Sequence, residues 1–178
     1  SGHFLESFDA SYEKLHLQFD EFAKTSWDTL CWHVRRGAMT AAAYVELRIQ
    51  ELAIHDFDIR SAFQPNAGLD SDCVSVLLDM TPRWLGMCFR PSEKLPEPVV
   101  YSFNADSQKY RLTVSGDEFQ MDSAAAPEAD LSLLATGEQF LLFTYGRLTA
   151  SDGMHLGRLA VTGEMSHLDQ FEVWFKGL

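Results

Sequence analysis

Cysteine is scarce: three residues in 178, Cys31, Cys73 and Cys88, odd in number, far apart and without any C-x-x-C. This excludes a disulfide framework and a cysteine zinc knuckle, and leaves reduced thiols in or near the core. Basic residues are few as well. Fourteen Lys and Arg stand against 26 Asp and Glu, which gives a net charge of -12 and a pI near 4.8, with nothing denser than the Arg35-Arg36 pair. Such a charge repels phosphate backbones and anionic lipid, so the expected partners include neither nucleic acid nor membrane. No apolar run approaches the roughly 20 residues needed to span a bilayer, and "SGHFLESFDAS" lacks the basic and apolar regions of a signal peptide. The expected location is therefore cytoplasmic. Phosphate loops of the G-x-x-x-x-G-K or G-x-G-x-x-G type are also missing. A start at Ser-Gly in place of Met reads as a processed or trimmed N-terminus.

What remains is an ordinary globular composition, 46% hydrophobic and 22% charged, in a length that suits one large domain or two small ones. The first third has a helical period. In "FLESFDASYEKLHLQFDEFAK", Phe4, Phe8, Tyr12, Leu15, Phe19 and Phe22 recur at steps of three and four with acidic residues between them, which predicts one amphipathic helix. "TSWDTLCWHVRRGAM" breaks the period, with Gly37 as a stop signal. A second helix is predicted from an N-cap at Thr40 to Gln64-Pro65-Asn66, and a third over "DSDCVSVLLDMTPRWLGMCF", kinked or divided at Pro82. After the proline-stiffened "RPSEKLPEP" the period shifts towards two. "VVYSFNA", "KYRLTVS", "EFQMDS" and "ADLSLLA" read as strands of an antiparallel meander. A short helix capped by Thr136, a strand over "GRLAVTG" and a closing helix over "MSHLDQFEVWFKGL" follow, with Trp174 and Phe175 read as core. Helices first and strands later give an α+β fold class, divided near residues 90 to 97 into regions 1-92 and 93-178.

Chemistry concentrates in "ELRIQELAIHDFDIR". On a helix Glu51 and His55, four apart, share a face with Cβ atoms roughly 5 to 6 Å from each other. A carboxylate and an imidazole so placed can hold one divalent ion, by the geometry of helical i, i+4 metal pairs, yet two ligands alone seldom suffice. The same residues also make a plain salt-bridged face. Asp58, a turn beyond His55, can orient the imidazole ring as an outer acceptor. Cys31 and His33 suggest a dyad but have no evident orienting Asn or Asp. His16, His155 and His167 lie alone and read as surface or cap residues.

The segment "LRIQELAIHDFDIR" together with "FLLFTYGRLTA...LAVTGEMSHLDQFEVWF" resembles the mycothiol-dependent maleylpyruvate isomerase family, over most of the chain from about residue 4. The resemblance implies a DinB-like helical bundle, here lacking its N-terminal helix or helices, followed by a sterol-carrier-like antiparallel sheet with covering helices. It implies a divalent metal, usually zinc, on Glu51, His55 and a histidine from an earlier helix, for which His3 is the candidate. It also implies an arginine of the C-terminal part that supports the mycothiol cofactor or a substrate carboxylate. Arg147 is that candidate, with pairing to Glu138 or Asp152 as the plain structural alternative.

The implied activity is a metal-dependent isomerase or transferase assisted by a low-molecular-weight thiol, acting on a small electrophilic or anionic substrate. The alternative is a non-catalytic small-molecule-binding or interaction protein that has lost a complete metal site. An incomplete bundle exposes an apolar face, so a homodimer or an accompanying chain is the expected assembly.

Overall fold

The structure, a computed structural model, describes residues 2-34 and 36-177. Ser1 of the Ser-Gly start, Arg35 of the arginine pair and Leu178 at the end of the closing segment lie outside the described residues. The chain forms two compact units, residues 1-52 and 53-178.

The first unit opens with α1 (Gly2-Phe22), followed by β1 (Leu30-His33) and β2 (Gly37-Thr40), and holds the start of α2 (Ala41-Ser61). The long first helix has the extent its periodicity predicts. The hairpin was not predicted. β1 and β2 pair antiparallel from Leu30 opposite Thr40 to His33 opposite Gly37. Four-residue strands are too short for a period of two to stand out, and Gly37, read as a helix stop, instead supplies a positive φ of 74° where the hairpin turn ends. Thr40 does cap α2: its hydroxyl accepts the Ala43 N-H at 3.2 Å.

The second unit takes the last turns of α2 from Ala53, then α3 (Ser71-Asp79) and α4 (Thr81-Cys88). These helices belong with the sheet, not with an N-terminal bundle as expected. The expected division near residues 90 to 97 accordingly does not coincide with the boundary between the units. The reason is packing: Ile54, Phe57, Leu77, Leu78, Trp84 and Leu85 are buried in one continuous core with the strands. α3 and α4 separate at Met80, with Pro82 in the first turn of α4, where a missing N-H costs nothing.

The sheet comprises β3 (Val99-Ala105), β4 (Gln108-Ser115), β5 (Glu118-Asp122), β6 (Leu131-Ala135) and β7 (Leu159-Gly163), in the order β5-β4-β3-β6-β7. The first three form the predicted meander, but β6 pairs parallel to β3, with Tyr101 opposite Leu131 and Phe103 opposite Leu133. One face carries Tyr101, Phe103, Tyr110, Leu112, Val114, Leu131 and Leu133, all at most 2% exposed. Onto it pack α5 (Gly137-Thr144) and α7 (Met165-Trp174), with Phe103 meeting Phe140 and Phe171 at ring separations of 5.4 and 5.2 Å. The opposite face exposes Lys109, Arg111, Gln120, Leu134 and Thr162. α6 (Ala150-His155), too short to show a period, was not predicted, although Thr149 caps it by accepting the Asp152 N-H at 3.0 Å.

β7 stops at Gly163, whose φ of 109° is open only to glycine and whose absent Cβ leaves room for the Asp130 carbonyl oxygen and for Leu131 Cα at 2.9 Å. Gly163→Ala is expected to lower stability in urea by about 2-3 kcal/mol, through strain and backbone displacement. Gly116→Ala, also at positive φ but with nothing within 4 Å of its Cβ, should cost only about 1 kcal/mol.

Candidate functional site

The C-terminal turns of α2 enter the second unit with Ile54 and Phe57 pointing into its core. His55 therefore faces outwards, with a side chain 65% exposed, and Asp58 lies at the rim, 34% exposed. His55 Nδ1 and Asp58 Oδ2 are 3.4 Å apart, the orientation expected of a helical i, i+3 pair. Arg60 holds the end of the helix, bonding Asp56 by its Nε at 2.7 Å and the Gly68 carbonyl at 2.7 Å.

Arg147 arrives from the other end of the unit, placed by the way α5 terminates. Gly146 takes a φ of 72° and donates its N-H to the Phe143 carbonyl at 3.0 Å, while Arg147 N-H reaches the Leu142 carbonyl at 2.8 Å. This is a Schellman closure, and it fixes the backbone from which the Arg147 side chain leaves. The guanidinium then forks onto Asp58, Nε to Oδ1 at 3.0 Å and Nη2 to Oδ2 at 2.8 Å, with Nη1 donating to the carbonyl of Tyr145, two residues earlier, at 2.7 Å. Neither Glu138 nor Asp152 takes this arginine. Glu138 accepts the Leu69 N-H at 2.9 Å, and Asp152 accepts the Thr149 hydroxyl at 2.8 Å.

Arg147, Asp58 and His55 thus form a chain of three polar side chains in the second unit. The two-pronged bond from Arg147 holds the Asp58 carboxyl below its ordinary range against the opposing effect of burial, and Asp58 in turn raises the Arg147 guanidinium. An anion approaching Arg147 meets a guanidinium whose charge is already matched, so its attraction would come from directed N-H donors.

Glu51, the other half of the predicted metal pair, is exposed on the same helix, four residues before His55. His3 lies in the first turn of α1. Among the described residues no three His, Cys, Asp or Glu side chains gather where one ion could sit. The donor set of α2 fits a divalent ion in kind but supplies two ligands where three or four are usual.

Cys88 is a core thiol and Cys73 packs against the same core, whereas Cys31 is half-buried in the first unit. Burial pushes Cys88 up to about 11 and raises Cys73 as well. Cys31 directs its Sγ at the Thr40 carbonyl, 3.7 Å away, and the His33 ring lies against Tyr44 at 5.9 Å. A separate cleft of about 400 Å³ opens between the end of α5 and α7, walled by Phe143, Leu148, Phe171 and Phe175, with Thr149, Glu172 and Lys176 also at its lining. No sequence signal marked it, because its walls are ordinary core positions of two helices far apart in the chain.

These features define a mixed α+β protein whose five-stranded sheet is covered on one face by helices. No protein-family model matches the chain. No curated protein matches it. Among solved structures, the stereoselective inverting sec-alkylsulfatase Pisa1 from Pseudomonas sp. aligns with a TM-score of 0.50 at 14% identity, over 56% of this chain and 16% of its own. The apo sterol carrier protein 2 from Yarrowia lipolytica aligns with a TM-score of 0.41 at 17% identity, over 61% of this chain and 93% of its own. The UbiJ-SCP2 ubiquinone synthesis protein aligns with a TM-score of 0.38 at 12% identity, over 74% and 96%. The sulfatase likeness is one of fold alone, over part of the chain, and the two weaker alignments carry no further weight. Among the described residues no helix is long and apolar enough to cross a membrane.

A pH dependence follows from the Arg147-Asp58 fork. Asp58 has a folded pKa below its unfolded value, so its contribution is present above about pH 4 and is lost as pH falls through the folded pKa. With Asp58 about one-third exposed, the contribution is about 1 kcal/mol. Asp58→Asn should therefore be less stable than the parent by about that amount in urea at pH 7, and the gap should close towards pH 2.

Proposed function

We propose that this chain is a metal-dependent isomerase or transferase assisted by a low-molecular-weight thiol, of the maleylpyruvate isomerase type. One observation supports the reading above the others: Asp58 engages Nδ1 of His55. Metal-binding histidines regularly have one ring nitrogen held by a carboxylate, which sets the ring so that the other, here Nε2, is the coordinating atom. Glu51 supplies the second ligand from one turn earlier, and His3 is the third that the family resemblance offers.

A divalent ion on these residues would acidify a bound thiol such as mycothiol. The roles of the chain's own groups follow from their positions. Asp58 orients His55 while taking the fork of Arg147, which makes one carboxylate responsible for both. Arg147, fixed at the end of α5, would present N-H donors to a carboxylate of the cofactor or of a small anionic substrate. A homodimer is the assembly proposed with this activity.

Zinc titration of the purified chain with a competing chelator tests the reading. Near-stoichiometric binding is expected, abolished in His55→Ala and weakened about 10- to 100-fold in Asp58→Asn. A chain that takes up no zinc, or whose affinity is the same in both variants, would refute it.

A second reading is favoured by the cleft between α5 and α7, whose apolar walls and volume of about 400 Å³ suit a small lipophilic molecule. On that reading the second unit binds such a molecule without catalysis. Native mass spectrometry should then show a retained ligand in the parent and its loss when Leu148→Trp narrows the cleft. A chain that carries no adduct and binds no fluorescent fatty acid would exclude it.

A further inference from the structure

The first unit contains an apolar surface that takes no part in the chemistry proposed above and that can seat the homodimer named there. Along α1, Phe4, Phe8, Tyr12 and Phe19 are 75%, 60%, 55% and 41% exposed, and Leu5 and Leu15 lie on the same stripe. At 100° per residue these positions fall within an arc of about 100°, the width of a core-facing helix stripe. The stripe runs at its C-terminal end into a groove of about 310 Å³, where Phe22 and Trp27 meet edge to face at 5.3 Å and Trp32 and Tyr44 form further walls. Ridge and groove are both apolar, adjacent, and on one chain.

We infer that this surface is the interface of a homodimer, in which the N-terminal ridge of each α1 lies in the groove of the other copy. Two arguments select a second copy. The first is area. At about 150-250 Å² for a whole aromatic side chain, the exposed parts of the aromatics on ridge and groove come to on the order of 700 Å² per copy, before any leucine is counted. A standard interface buries about 800 Å² per partner. A twofold axis also lets one patch serve as both donor and receiver, so the two halves are matched without any other protein.

The second argument is charge. Helices that lie on membranes carry Lys and Arg on the polar face to meet anionic lipid. The polar face of α1 carries Glu6, Asp9, Glu13, Asp20 and Glu21 against Lys14. Anionic lipid would be repelled, whereas in a homodimer these acidic residues, which lie off the apolar stripe, can stay in solvent on the outer side of each helix. The inference concerns residues 2-45 only and stands whether or not Glu51 and His55 hold a metal.

Sedimentation equilibrium of the whole chain between about 1 and 100 µM reads the result directly. Twice the chain mass of 20.1 kDa is expected at the upper end, and the Phe8→Asp/Tyr12→Asp double variant should remain monomeric with an unchanged urea transition of the second unit. A parent that stays at 20.1 kDa throughout overturns the inference, and so does a dimer that persists in the variant, or a monomer that sediments with anionic vesicles. If the double variant fails to fold, a photoreactive phenylalanine analogue at Tyr12 replaces it. The analogue should give a dimer adduct mapped to residues 2-45 of the other copy, and an adduct mapped to the second unit would also overturn the inference.

Discussion

The burial of α5 from Phe140 to Thr144 is the constraint from which the rest of the second unit follows. Phe140, Leu141, Leu142, Phe143 and Thr144 are each at most 5% exposed, so beyond its partly exposed first turn this helix has no solvent face and must be enclosed by other elements. Phe140 meets Phe103 and Tyr110 from the sheet, and Trp84 of α4 donates its indole N-H to the Thr144 carbonyl at 2.9 Å while stacking on Tyr145 at 4.3 Å. Both termini are then satisfied locally. Thr136 caps the start and the glycine closure ends it, which meets the backbone hydrogen-bond demand of the helix termini. That enclosure makes it a packed base for Arg147.

The candidate site inherits its geometry from that base. Arg147 leaves α5 in a direction set by backbone, and Asp58 is delivered by a helix that buries Ile54 and Phe57 in the same core. The ion pair joins residues 89 apart in sequence, and its geometry is imposed by packing on both sides. His55 and Arg147 share one acceptor. Chemistry at either would be felt by the other through the charge on Asp58.

Much of this was legible in the sequence wherever a pattern is local. Thr40, Asp70 and Thr136 are short polar residues ahead of apolar runs, and each caps a helix. The strands from Val99 to Asp122 alternate much as their burial does, apart from Ser102, which is buried between Tyr101 and Phe103. What escaped was short or non-local. The hairpin at residues 30-40 and α6 are too brief for periodicity, and the parallel pairing of β6 with β3 depends on a connection the sequence does not encode in any window. At the site, the Glu51, His55, Asp58 spacing could be read along one helix. The partner of Arg147 could not, since Glu138 and Asp152 were nearer in sequence and were already engaged in holding Leu69 and capping α6. The grouping of α3 and α4 with the sheet likewise depends on which apolar faces meet, a choice that composition alone leaves open.

The edges of the sheet have a consequence of their own. β5, at one edge, carries Glu118 and Asp122, and β7, at the other, is five residues long and ends at a glycine bent away from strand geometry. Charge on one side and brevity on the other leave little template for an incoming strand. During folding, when apolar segments are briefly uncovered, such edges discourage the ladder growth by which sheet proteins form fibrils. The sheet of this chain is built to end with itself.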